Sequence, residues 1–110
     1  GKNFPKTGSF GPVIVTPDEI DDLGSKRITT KVNDVLVQDS TLDQLIFNCA
    51  DLIAYCSEWT TLNPGDVIVT GTPGGVGDGR DPQLWLFPGD VVEVEVEGIG
   101  RLVNPVIEER

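Results

Sequence analysis

Histidine and methionine are absent from these 110 residues, and cysteine occurs only twice. Without histidine the chain holds no Ser-His-Asp or Cys-His nucleophile system. It holds no His-containing zinc site, and two thiolates cannot make an all-cysteine one. Basic residues are scarce: 8 Lys and Arg stand against 18 Asp and Glu, a formal net charge of -10. Nucleic-acid phosphates and anionic lipid surfaces require clustered cations, so this balance argues against both kinds of partner. No apolar run approaches the ~20 residues of a membrane-spanning helix. Gly1-Lys2-Asn3-Phe4-Pro5 leads into no signal-peptide apolar stretch. A chain that starts at Gly and lacks Met is expected to be processed, engineered or cut from something longer.

Hydrophobic residues make up 38% and charged residues 24%, which suits one globular domain rather than a disordered tail. A domain of this size is expected to bury a modest core, roughly 60–70% of its unfolded surface. Cys49 and Cys56 are seven residues apart in a helical pattern. On a continuous helix they would lie about 10 Å apart along the axis, beyond the roughly 7 Å between Cα atoms that a disulfide allows. The expectation is two reduced, buried thiols in a reducing, cytoplasmic compartment.

Along the chain, residues 1–12 read as loop and Val13-Ile14-Val15-Thr16 as a short β-branched strand. Pro17 to Asp22 is an acidic turn, with Pro suited to a first helical position. Ile28 to Val32 and Val35 to Gln38 read as strands joined by a two-residue Asn33-Asp34 turn. Thr41-Leu42-Asp43-Gln44 has capping-box spacing, and Leu45, Cys49, Leu52, Cys56 and Trp59 share one helical face. Asn48 and Asp51 could instead cap a second, later start, so one helix or two is open. Asn63-Pro64-Gly65-Asp66 and Phe87-Pro88-Gly89-Asp90 are turns leading into Val67–Thr70 and Val91–Glu97. In the latter, three Val alternate with Glu93, Glu95 and Glu97, giving one buried and one wet face. Gly98-Ile99-Gly100 then turns the chain into Arg101–Val106. The Pro-Gly-Asp-Val repeat marks two similar turns, not a solenoid.

Three features invite chemistry. Alternate carboxylates at Glu93, Glu95 and Glu97 could gather oxygen ligands for Mg²⁺ or Ca²⁺, or could simply be a solvated face that resists edge pairing. In Gly71-Thr72-Pro73-Gly74-Gly75-Val76-Gly77-Asp78-Gly79, five of nine residues are Gly. No Gly-Lys-Ser/Thr follows, so it is no P-loop, and Arg80 stands where a dinucleotide fingerprint needs Gly. It is either a plain loop or one whose N–H groups and Thr72 hydroxyl hold a carboxylate or carbonyl oxygen. Lys2 and Lys6 could neutralise developing negative charge, although an N-terminal Lys is ordinarily just solvated.

Taken together, three stretches resemble the C-terminal part of the fumarylacetoacetate hydrolase family. They are Gly1–Pro5 with Gly11–Thr16, Asn63–Gly77, and Pro88–Glu95 with the Gly98-Ile99-Gly100 and Asn104-Pro105-Val106 that follow. The resemblance implies an α+β, β-rich fold, a mixed β-sandwich or barrel-like roll with one or two short helices. It implies part of an enzyme acting on a small-molecule 2-oxo acid or its enol, by C–C hydrolysis, decarboxylation or isomerisation, in a homodimer. It further implies Mg²⁺ or Mn²⁺ as a Lewis acid, with Lys2 as the active-site lysine and Gly71 and Thr72 as substrate-binding residues. The family's metal ligands, a Glu-x-Glu pair and a later Asp, precede the lysine motif. Residues 1–110 are therefore expected to be the C-terminal portion of one catalytic domain, with the metal-ligand segment upstream of Gly1. Val13 and Lys6 replace the family's frequent Trp and Gly, which leaves the substrate subclass open. Two other readings are a non-catalytic acidic β-rich binding or assembly module, and a regulatory protein using an exposed Cys49 or Cys56.

Overall fold

A computed structural model describes residues 3–108. Its centre is a four-stranded antiparallel sheet in the order β2-β1-β3-β4. The strands are β1 (Arg27–Val32), β2 (Val35–Thr41), β3 (Val91–Val96) and β4 (Gly100–Pro105). One α-helix, α1 (Cys49–Trp59), lies between β2 and β3 in sequence, and short 3-10 turns punctuate the loops. The expected α+β, β-rich class holds.

Local sequence explains the hairpin. Asn33 and Asp34 have φ of 50° and 67°, the left-handed conformation that a two-residue hairpin turn demands and that Asn and Asp tolerate. Asn33 also ties this turn to the start of β3. Its Oδ1 accepts from the Val91 N–H at 2.9 Å, and its Nδ2 donates to Asp90 Oδ1 at 2.7 Å. The two Pro-Gly-Asp turns share one geometry. Gly65 and Gly89 have φ of 96° and 101°. Asp66 and Asp90 each accept, at 2.7 Å, the N–H of the residue three before them.

Register separates the sheet into two faces. Thr30 pairs with Val94, Ile28 with Val96 and Val32 with Val92, so these residues share a half-buried, largely apolar face. The other face is charged. Arg27 donates twice to Asp39, at 2.6 and 2.5 Å, while Lys31 and Arg101 reach Glu93 at 3.3 and 3.2 Å.

Several expectations are corrected. Val13–Thr16 and Val67–Thr70 form no strand, because no neighbouring strand pairs with them; Val69 is 84% exposed. Thr41–Gln44 does not open the helix. Leu42–Gln44 is a separate 3-10 turn, and α1 begins at Cys49, where Asn48 Oδ1 accepts the Asp51 N–H at 2.9 Å. The later start is therefore the one used, and there is one α-helix among the described residues. Both cysteines are free, but Cys49 is exposed and Cys56 only half-buried. Among the described residues none is fully buried, so the expected core is not closed. The helix packs only weakly on the sheet, and Trp59, placed on its apolar stripe, is 75% exposed.

Candidate functional site

The glycine-rich loop docks on β2 at a defect in the ladder. Thr30 pairs with Gln38 but Lys31 pairs with Leu36, which leaves Val37 as the extra residue of a β-bulge. A bulge frees backbone groups from the ladder and re-aims them. The Val37 carbonyl accepts the Arg80 Nη2 donor, and Arg80 Nε donates to Gly75 O at 2.9 Å. Gln38, next along, donates through Nε2 to Pro73 O at 2.8 Å and to Thr72 Oγ1 at 3.0 Å. One arginine and one glutamine thus hold both ends of the turn that carries Thr72.

The glycines permit this approach. Gly75 has φ of 103°, and a Cβ there would overlap the Val37 carbonyl oxygen. A Cβ at Gly77 would overlap the Leu84 carbonyl oxygen, and the Leu84 N–H donates to Gly77 O at 3.0 Å. Gly71 has φ of 115°, which turns the chain immediately before Thr72. Gly71 and Thr72 are both exposed. The arrangement leaves a hydroxyl and a sharply turned backbone exposed, with Gln38 holding the hydroxyl oxygen from the sheet side.

The other sequence candidates divide differently. Lys2 lies outside the described residues. Lys6, exposed at φ of 62°, lines a shallow cleft with Pro88, Gly89 and Pro105–Glu108, and Thr72 is not part of that cleft. Glu93 is 15% exposed and is neutralised by Lys31 and Arg101. Glu97 Oε2 accepts the Arg27 N–H at 3.4 Å. Among the described residues no three carboxylate or thiol side chains gather at one point, so these residues do not fit a divalent cation. Glu95 and Glu97 are exposed, as the solvated-face reading expects, whereas Glu93 is largely covered and held in two ion pairs. Sequence reasoning missed Gln38 and Arg80. Their signals were a polar residue closing the apolar run Val35-Leu36-Val37 and a lone cation closing a run of glycines.

The fumarylacetoacetate (FAA) hydrolase C-terminal model matches residues 1–107. The chain belongs to the fumarylacetoacetate hydrolase family. Within that family it is similar to the mitochondrial oxaloacetate tautomerase fahd2 of Xenopus laevis, 46% identical over 107 residues. That match covers 97% of this chain and 34% of the relative. The solved structure of a fumarylacetoacetate hydrolase from Exiguobacterium antarcticum superimposes with a TM-score of 0.85 at 42% identity, covering 91% of this chain and 36% of that one. Maleylpyruvate hydrolase from Sphingobium sp. SYK-6, in complex with manganese(II) and pyruvate, superimposes with a TM-score of 0.80 at 32% identity, covering 91% and 35%. The chain thus spans about a third of the length of the curated relatives it matches. No described helix is long and apolar enough to cross a membrane.

Proposed function

We propose that the complete protein is an enzyme acting on a 2-oxo acid or its enol, and that residues 1–110 form the C-terminal portion of its single catalytic domain. The carrying observation is the Gly71–Gly79 loop, with Thr72 held from behind by Gln38 and exposed in front. Removing a proton beside a 2-oxo group places negative charge on the carbonyl oxygen. A positioned hydroxyl or N–H aimed at that oxygen stabilises the charge as it develops. In this reading Thr72 and the backbone at Gly71 supply such donors, and Lys2 supplies a neutralising cation.

The family resemblance implies Mg²⁺ or Mn²⁺ as a Lewis acid, and a manganese ion in the maleylpyruvate hydrolase structure supports that. The described residues form no site for the ion, so no step here runs through it. Among hydrolysis, decarboxylation and isomerisation, enol–keto interconversion of oxaloacetate is the reaction to test first, because the Xenopus relative bears that name. A homodimer and a reducing compartment belong to the same proposal; that relative is named as mitochondrial, so the mitochondrion stands beside the cytoplasm as a candidate compartment.

The test follows oxaloacetate enol–keto interconversion by ultraviolet absorbance with the complete protein. Thr72→Val keeps the side-chain shape and removes the hydroxyl. It is expected to lower kcat/KM at least tenfold, a typical cost of losing one charge-stabilising donor. Unchanged turnover would remove Thr72 from the site, whereas absence of turnover in the wild type would favour a non-catalytic module.

A further inference from the structure

The Gln38 amide makes contacts that fix more than the position of Thr72. A glutamine amide presents a carbonyl oxygen that only accepts and an NH₂ that only donates. Which end faces a neighbour is decided by that neighbour's own chemistry. Pro73 offers a backbone carbonyl oxygen, which can only accept, at 2.8 Å. The end facing it must therefore be the NH₂. The reverse orientation would set two acceptor oxygens against each other.

One hydrogen of that NH₂ goes to Pro73, and the other is left for Thr72 Oγ1 at 3.0 Å. Thr72 is thereby the acceptor in this pair. A hydroxyl has one proton and two lone pairs. With one lone pair turned to Gln38, the proton must point elsewhere. Among the described residues it meets no acceptor, and Thr72 is exposed.

We infer that Gln38 sets the direction of the Thr72 hydroxyl proton, making Thr72 an outward-facing donor to a carboxylate or carbonyl oxygen of the ligand. Gln38 is then a positioning residue for 2-oxo acid binding, an inference that rests on the reading of Thr72 given above. It acts through polarity and not only through anchorage, because Arg80 holds the same loop independently through Gly75 and Val37.

The discriminating experiment is calorimetric titration of pyruvate, with Mn²⁺ present, into the complete protein and four variants. Gln38→Met keeps the length of the side chain and removes its hydrogen bonding. It is expected to weaken pyruvate about threefold to tenfold, the scale of one neutral hydrogen bond. In a Thr72→Val background there is no hydroxyl to direct. There, the further change Gln38→Met is expected to alter affinity less than twofold. An equal loss in both backgrounds would mean that Gln38 merely anchors the loop through Pro73, and would overturn the inference. Unchanged affinity in Gln38→Met would overturn it as well. Should Gln38→Met fail to fold, Gln38→Glu carries the test. Its carboxylate can only accept, so it would draw the Thr72 proton inward, and a loss of at least tenfold is expected. Retained affinity in Gln38→Glu would overturn the inference. If Thr72→Val itself binds pyruvate normally, or the wild type does not bind it, the functional reading fails and the inference with it. A loss in Thr72→Val with none in the Gln38 variants would overturn the inference alone.

Discussion

A single added carbon separates glycines that matter from glycines that do not. At Gly77 a Cβ would run into the Leu84 carbonyl, a backbone group already fixed by its neighbouring N–H. At Gly74 a Cβ would meet nothing within 4 Å, and the backbone there is not left-handed. Gly77→Ala is therefore expected to destabilise the complete protein by about 1–3 kcal/mol, the usual cost of overpacking a fixed site. Gly74→Ala is expected to stay within about 0.5 kcal/mol of wild type, as a free surface change does. Thermal unfolding of the two variants side by side checks this; equal effects would refute the contact. The sequence could show that this loop was crowded with glycine. It could not rank the glycines, because the atom that excludes a methyl group at 77 belongs to residue 84. Gln38 and Arg80 were hidden for the same reason: their roles depend on a bulge at Val37 that no local pattern announces.

At the scale of elements, whatever is decided by near neighbours was legible. The Asn33-Asp34 turn, the two Pro-Gly-Asp turns and the alternation in β3 each follow from a few consecutive residues. Val13–Thr16 and Val67–Thr70 have equally strand-like composition, yet a strand exists only when another lies beside it. The join between turns offers a test of its own. Asp90 accepts the Phe87 N–H and the Asn33 side chain, and these hydrogen bonds, the first above all, hold its carboxyl below the ordinary 3.8. The unfolded chain then binds more protons than the folded one as pH falls toward that range. The stabilisation is complete above the ordinary carboxylate value and is lost as pH falls through the lowered one. Asp90→Asn is expected to melt lower than wild type at neutral pH, with the gap closing as pH falls below the ordinary carboxylate value and through the lowered one, where the wild-type carboxyl protonates. Melting curves of the complete protein across that range measure it; a gap constant with pH would show that the charge on Asp90 contributes nothing.

At the scale of the whole molecule, composition was a poor guide, because 38% hydrophobic residues do not say which apolar faces meet one another. The chain exposes 8872 Å², whereas a compact protein of this size exposes about 5,900 Å². Its radius of gyration is 15.4 Å, against about 13 Å for a compact domain of similar length. The excess lies on identifiable elements. Ile46 is 92% exposed just before α1, Phe47, Ile53, Tyr55 and Trp59 are exposed as well, and the Tyr55 and Trp59 rings lie 6.2 Å apart. Apolar area of this kind is ordinarily covered in a stable protein, and the chain spans about a third of its relatives' length. These facts have one consequence for the 110 residues taken alone. The hydrophobic stabilisation that a closed core supplies is largely missing, while the conformational entropy of ordering the backbone is not reduced. The isolated chain is therefore expected to bind an apolar fluorescent dye and to melt over a broad range, with the β1–β3 pairing persisting longest because it is tied on both sides. The complete protein is expected to melt sharply and to bind little dye. A sharp melt without dye binding from residues 1–110 alone would mean that the sheet and its two tight turns suffice, and that the apolar face around α1 needs no cover.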